Sequence, residues 1–397
     1  MKIYEIGTGY TPIPAQMAAA TEIVVEELSK AFLAQNTQVE IIDISTKSRK
    51  ENNLPIREVC VPALFTGTDV QLGIMHKLKR VTYSLALACE LKKLLKKTTE
   101  KVVLHFHNQY NLFFFLKLVP ERLRSRSLVA YTNHSGIWRL EWSEIEETIR
   151  TRYFQEAECM RRADLVFLLN EETKQNVMTH IGVDEKKIVL IDNGVNTEVY
   201  HPMSEVQKQK AKEKWSMTGK TVVLQVGSVY ENKGQLRALE YLLPMLKESE
   251  NMLYAYAGGV VDEAYHEKVI AFAKENGVDD RVRYLGMLSP GGELNELYNA
   301  AELTIFPSRY EAFGLVAIES LAAGVPVMID EQSPLDFGCG SIKYNASDVL
   351  SSVYILEDEK EYMQFRSMAR DGAVAKYSWN KIADDYLSAF RKEIANV

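Results

Sequence analysis

The sequence predicts an α/β protein made of two doubly wound parallel-sheet domains, and three observations lead there. The chain has 397 residues, more than one ordinary core accommodates, so two domains of roughly 200 residues are the default. It opens strand, loop, helix, strand, the start of a doubly wound sheet. A second opening begins at Thr221, where the β-branched run Thr221 to Val226 meets a glycine-bearing turn and then a new helix.

The apolar fraction of 46% and charged fraction of 25% are those of a globular chain. The net charge of −7 argues against general nucleic-acid binding, while leaving room for a local basic patch. Cys60, Cys89, Cys159 and Cys339 are far apart and form no CxxC pair, which fits a reduced cytoplasm. A strand at Lys2 to Ile6 stands where a secretion signal would need a basic segment and an apolar run, and no apolar run approaches bilayer length.

Ile3, Tyr4 and Ile6 form the first strand, and the run Gly7 to Pro12 breaks it. Val24, Leu28, Ala31 and Phe32 fall on one face of the helix that follows, and Val39 to Ile44 is the second strand. Ligands of such sheets sit at the carboxyl ends of strands, which places Gly7, Gly9 and Tyr10 at a crevice; a plain strand-to-helix turn is the alternative. Val59 to Leu64 reads as a short strand. Residues 75–97 read as one long helix bearing Lys77, Lys79, Arg80, Lys92, Lys93, Lys96 and Lys97. Such a helix either rests on an anionic membrane or presents a solvated basic face.

Val102 to Phe106 is a strand ending at His105 and His107, and Ser127 to Thr132 one ending at Asn133 and His134. Histidines at strand ends raise the question of metal, but no third ligand has a recognisable spacing, so no metal is expected. Ile145 to Arg162 reads as helical, Ala163 to Leu168 as a strand, and a helix starts at Glu171. Ile188 to Ile191 runs into a turn at Asn193, and residues 204–218 form a charged helix.

In the second half, Gly227 and Ser228 end the strand and Lys233 lies six residues past the glycine. A glycine there admits phosphate and the lysine reaches it as a flexible point charge, although the Gly-x4-Gly-Lys order of a P-loop is absent. Leu253 to Ala257 and Val282 to Leu285 are further strands, and Leu294, Leu297 and Tyr298 a helix face. The central stretch is Leu303 to Ile329: an apolar strand stopped by Pro307, a loop with Glu311, a helix from about Phe313 carrying Glu319, and a second strand. Eight residues of helix span about 12 Å. The N–H groups of Gly314 and Leu315 then lie between two carboxylates and favour an anion. A ligand with hydroxyls at both ends and phosphate in the middle has the shape of a nucleotide diphosphate sugar. After Ile329 comes a loop from Asp330 to Gly340, then a helix at Tyr362 to Lys376 and a last amphipathic helix with Ile382, Tyr386 and Phe390.

Pro307-Ser308, Glu311, Phe313-Gly314, Glu319 and Ala323-Gly324-Val325-Pro326 together resemble the E-x7-E signature of the retaining GT-B glycosyltransferases of family 4. Thr132-Asn133-His134 is similar to that family's strand-end Thr-x-His, Asn193-Gly194-Val195 to the segment closing its first domain, and Gly227 to Gly234 to its Gly-Arg-x4-Lys-Gly diphosphate site. Ser228 stands where relatives usually carry arginine, so either Lys233 acts largely alone or another base substitutes. Met17 to Ala20 replaces their usual glycine pair, and the Asp330 loop their glycine-rich turn.

The resemblance implies two Rossmann-like domains facing across a cleft. Residues 1–193 are the acceptor domain, with 377–397 packing back on it, and 194–376 the donor domain. It implies a hexosyl transfer with retention of configuration, without metal or cofactor beyond the nucleotide-sugar co-substrate. The acceptor is a carbohydrate or lipid-linked, as in cell-surface polysaccharide synthesis, and aromatic and basic residues such as Tyr110, Phe113, Arg122 and Arg124 fit a membrane-borne one. The expected setting is the cytoplasm or the inner face of its membrane. By resemblance Glu319 binds the ribose and Glu311 the transferred sugar. Lys233 with the N–H groups of Gly314 and Leu315 holds the diphosphate, Gly227, Ser228 and Phe313 complete the donor site, and His134 faces the donor sugar. Gly7, Gly9, Tyr10, His107 and Asn193 line the cleft. Glu311 as a covalent nucleophile is the competing role. A nucleotide-sugar epimerase or hydrolase, or a non-catalytic nucleotide-binding relative, are the competing functions.

Overall fold

The computed structural model describes residues 1–15, 20–65, 74–308, 311, 313–333, 335–345, 356 and 358–395. The chain divides into two units, Met1–Gly194 with Trp379–Val397, and Val195–Ser378.

The first unit runs β1 (Lys2–Ile6), α1 (Ala20–Ala34), β2 (Gln38–Ile44), β3 (Ile56–Val59), α2 (Ile74–Lys97), β4 (Val102–Phe106), α3 (Gln109–Leu118), α4 (Glu121–Arg124), β5 (Ser127–Thr132), α5 (Trp142–Arg152), α6 (Phe154–Arg162), β6 (Leu165–Leu168), α7 (Glu171–Ile181) and β7 (Ile188–Leu190). The strand order is β3-β2-β1-β4-β5-β6-β7, and the pairings are parallel.

Strand alternation explains both faces. Tyr4, Ile6, Leu104, Phe106, Val129, Tyr131, Val166 and Leu168 point to one side, where α2, α3, α5 and α6 cover them. Ile3, Val103, Leu128, Ala130, Leu165 and Phe167 point to the other, against α1.

The second unit runs α8 (Glu205–Lys214), β8 (Thr221–Val226), α9 (Gln235–Glu248), β9 (Met252–Ala257), α10 (Glu263–Glu275), β10 (Val282–Tyr284), α11 (Gly292–Asn299), β11 (Leu303–Phe306), α12 (Leu315–Ala322), β12 (Val327–Asp330), β13 (Ser341–Tyr344) and α13 (Glu359–Tyr377). Its sheet is parallel too, in the order β10-β9-β8-β11-β12-β13. The chain then returns to the first unit as α14 (Trp379–Ile394), whose Ile382, Tyr386, Leu387 and Phe390 pack on α1 and the sheet face beside it. Each such side chain stabilises by about 1.5–3 kcal/mol through burial.

Three expectations are corrected. The strand expected at Val59 to Leu64 lies earlier, at Ile56–Val59: Pro62 has no N–H to pair, and its carbonyl instead accepts from Phe65 in a 3-10 turn. The helical stretch expected over Ile145 to Arg162 is divided into α5 and α6 by a break at Tyr153, with φ −116 and ψ 14 and no proline or glycine to mark it. The loop from Asp330 to Gly340 is entered from a strand that includes Asp330 and is followed by an edge strand, β13.

Candidate functional site

In the first unit the candidate residues gather where β1, β4 and β5 end. Glu5, His105 and Thr132 share the sheet face that α14 covers, because each lies two residues on from an apolar neighbour there (Ile3, Val103, Ala130). Glu5 is the centre of a buried polar chain. Its Oε1 meets His105 Nδ1 at 2.9 Å and its Oε2 meets His107 Nε2 at 2.8 Å. His105 Nε2 reaches Thr132 Oγ1 at 2.7 Å, which reaches Tyr386 of α14 at 3.0 Å. His107 Nδ1 lies 3.0 Å from His134 Nε2, with the two rings stacked.

Burial alone raises the Glu5 carboxyl, but the opposing pull of His105 and His107 wins and holds it at about 2. Burial, then the neighbouring His105, brings His107 down to about 4, and burial with the other two histidines holds His134 well below the usual imidazole range. A neutral His107 that donates from Nε2 to Glu5 must accept at Nδ1, so His134 donates from Nε2 and keeps its Nδ1 lone pair. Glu5, His105 and His107 are also the trio whose ligand atoms lie close enough to hold a cation. Glu5 was missed in the sequence because the third group comes from a neighbouring strand, not from a local spacing.

The loop after β1 is held from several sides. Gly7 O accepts from Tyr83 and, with Thr8 O, from the side-chain amide of Asn111 at 3.0 and 3.1 Å. Gly9 has φ +78, and a Cβ there would enter the Tyr83 ring, so only glycine fits. Asn108 donates to the Tyr10 hydroxyl at 3.0 Å. Lys79 is buried and donates to Tyr10 O at 2.8 Å, which removes it from the solvated basic face expected of α2. Asn193 is buried beyond β7. Met17 to Ala19 of the adjoining stretch lie outside the described residues.

In the second unit Gly227 and Ser228 follow β8, and Ser228 O accepts from Gln235 at 3.0 Å. Lys233 ends a 3-10 turn fixed by Gln225, which donates to its carbonyl at 2.7 Å. Its ammonium is ion-paired with Glu311, so two residues 78 apart in sequence meet at the carboxyl edge of the sheet. Arg237, one turn into α9, donates to Pro307 O at the start of the Glu311 loop, while its Nε has no partner among the described residues. It is a second cation beside the pair, and the only sign of it in the sequence is a basic residue four positions past Lys233.

Gly314 caps α12 with φ +93; a Cβ there would press on Phe306 and Phe337. Phe313 is buried against Phe337 and Tyr377. Leu315 is the first residue of α12, so the free N–H groups of the helix start sit beside Gly314. Glu319 lies one turn further on, half-buried, with Tyr298 donating to it at 3.1 Å. Burial pushes its carboxyl up to about 7 against the pull of the Tyr298 and Tyr200 hydroxyls. The structure thus brings Lys233 and Glu311 together in the second unit, and His107 and His134 in the first.

Two parallel doubly wound sheets, with a last helix returning to the first, define the GT-B class. Solved structures agree: a sucrose-phosphate synthase from Thermosynechococcus elongatus superposes with TM-score 0.73 over 100% of both chains at 20% identity. The catalytic domain of starch synthase IV from Arabidopsis thaliana, bound to ADP and acarbose, superposes with TM-score 0.74 over 99% of both at 14% identity. The profile of glycosyl transferases group 1 matches residues 206–334, and that of glycosyltransferase family 4 matches residues 21–199. The chain belongs to the group 1, GT-B glycosyltransferases. It is 25% identical to the mannosylfructose-phosphate synthase of Agrobacterium fabrum over 286 residues, 65% of this chain and 62% of that one. The matched span is about three fifths of the length of such curated relatives.

Proposed function

We propose that this protein is a nucleotide-sugar-dependent glycosyltransferase that moves a hexosyl group, with retention, to a carbohydrate or lipid-linked acceptor. The observation that carries the reading is the Lys233–Glu311 pair at the sheet edge, next to the start of α12 and its Glu319. Glu319 takes the ribose hydroxyls. Lys233, Arg237 and the N–H groups of Gly314 and Leu315 take the diphosphate, with Arg237 standing in for the guanidinium that Ser228 lacks. Lys233 exchanges its carboxylate partner for phosphate when donor binds, which frees Glu311 for the transferred sugar.

The bond between the anomeric carbon and the diphosphate oxygen breaks, and the acceptor hydroxyl attacks that carbon from the same face. Its proton passes to the departing phosphate oxygen. The charge that develops there is carried by the two cations and the helix start, a task that needs no metal. His134, neutral and oriented through His107 and Glu5, is the hydrogen-bonding group that the first unit offers to a sugar. The expected setting is the cytoplasm or its membrane face; among the described residues no helix is long and apolar enough to cross a membrane.

The test is thermal shift and nucleotide release with a panel of UDP-, GDP-, ADP- and dTDP-sugars, without acceptor. One donor should raise the melting temperature by a few degrees and be slowly hydrolysed. Glu311→Ala should abolish the hydrolysis, and Lys233→Ala and Arg237→Gln should each weaken binding about ten-fold or more. Binding without turnover would move the weight to the non-catalytic reading that Ser228 leaves open. No shift with any nucleotide, in folded protein, would refute the donor site.

A further inference from the structure

The first unit holds a cavity of about 710 Å³ that the donor chemistry does not use. That volume is in the range of small-molecule sites. Three cations line it: Lys77 and Arg80 from α2, and Arg152 from the end of α5. Three tyrosines join them: Tyr10 from the loop after β1, Tyr110 from α3, and Tyr153 from the break between α5 and α6. Among the described residues no carboxylate lines the cavity, and none of the three cations is in an ion pair. Like charges converging without counter-charge repel one another, so the arrangement is costly until an anion enters.

Unmet hydrogen bonds point the same way. Arg80 Nε, Gln109 Oε1 and Gln155 Oε1 are buried and without partners among the described residues, and all three residues line this cavity. Leaving such groups unpaired is unfavourable, so they await a ligand or ordered water. The arginine offers donors and the two amide oxygens are acceptors, which suit hydroxyl groups. The guanidinium of Arg80 lies 3.8 Å from the centre of the Tyr110 ring, which holds it in one orientation. Asn108 fixes the Tyr10 hydroxyl in the same way, at 3.0 Å.

We infer that this cavity is the acceptor site and that it takes a phosphate-bearing, polyhydroxylated ring. Lys77, Arg80 and Arg152 hold the phosphate, the two glutamines accept from ring hydroxyls, and the tyrosines cover the ring faces. The name acceptor site rests on the transferase reading; the phosphate chemistry stands on the cavity itself. A free sugar phosphate and a phosphoinositide headgroup share that chemistry.

The test is calorimetric titration of the full chain with glucose 6-phosphate, inorganic phosphate and glucose, beside sedimentation with phosphatidylcholine vesicles with and without phosphatidylinositol. Glucose 6-phosphate or the phosphatidylinositol vesicles should bind and glucose should not; which of the two binds identifies the source. Lys77→Ala and Arg152→Ala are exposed positions whose loss leaves the core intact. Each should weaken binding about ten-fold or more, with Arg152→Lys recovering part of it. Glucose binding as tightly as its phosphate, no binding of any phosphate-bearing probe, or binding that both alanine variants retain would overturn the proposal. Phosphate binding in a protein that turns over no nucleotide sugar would sink the transferase reading and keep the cavity. The reverse result would do the opposite.

Discussion

If Glu319 accepts hydrogen bonds from ribose hydroxyls as a carboxylate, donor binding has to displace its proton, because the unliganded carboxyl sits at about 7. About one molecule in eleven is then ionised at pH 6 and about ten in eleven at pH 8. The dissociation constant of the nucleotide sugar should therefore be about ten-fold weaker at pH 6, which is about 1.4 kcal/mol. The diphosphate diester of the donor does not itself titrate there. The sign for folding is opposite. A carboxyl raised from 4.5 to about 7 leaves stability undiminished below pH 4.5 and lowers it as pH climbs through about 7, by on the order of 3 kcal/mol in all. Calorimetry at pH 6, 7 and 8, in buffers of differing ionisation enthalpy, should show the affinity change together with proton release on binding. Glu319→Gln should bind more weakly and with little dependence on pH. Equal affinity at pH 6 and 8, or tighter binding in acid, would refute the role given to this carboxylate.

Acid should destabilise the first unit through His107. Its imidazole is held at about 4 when folded and regains 6.5 when unfolded, so stability falls as pH drops from 6.5 towards about 4, by about 1.4 kcal/mol per unit. His107→Gln should flatten that slope in melting curves, and an unchanged slope would count against it. Phe390→Ala removes a fully buried ring from the face between α14 and the sheet. It should cost about 3–5 kcal/mol, seen as early loss of the first unit's structure on heating; a change below about 1 kcal/mol would mean that α14 is not integral to that core.

Much of the frame was legible because short apolar runs end at hard stops. β1, β4, β5, β8 and β11 begin and end where the residues say they should, each apolar run being closed by glycine, proline, asparagine or histidine. The positions of Lys233, Glu311 and Glu319 were legible for the same reason, since the first two sit in loops after strands and the third one turn into the helix that follows. The contact between Lys233 and Glu311 was not, because it depends on β8 lying beside β11 in the sheet. Glu5 was hidden likewise: its register opposite His105 is a property of the pairing between β1 and β4. The break at Tyr153 has no local signature, and it is settled by what α5 and α6 pack against. β13 is short and exposes Lys343, so its alternation is too brief to read.

The return of α14 to the first unit sets an order of events during synthesis. The apolar face formed by α1 and the sheet has no cover until residues 379–394 leave the ribosome, by which time the second unit, Val195–Ser378, has been made. The usual sequence, in which the N-terminal domain finishes first, is therefore reversed at its final step: the second unit can close before the first. A nascent chain stalled after Ser378 would carry a wide sticky surface and depend on chaperones. By the same logic residues 1–194 are an incomplete fragment, one that a separate peptide spanning 379–395 could complete in trans.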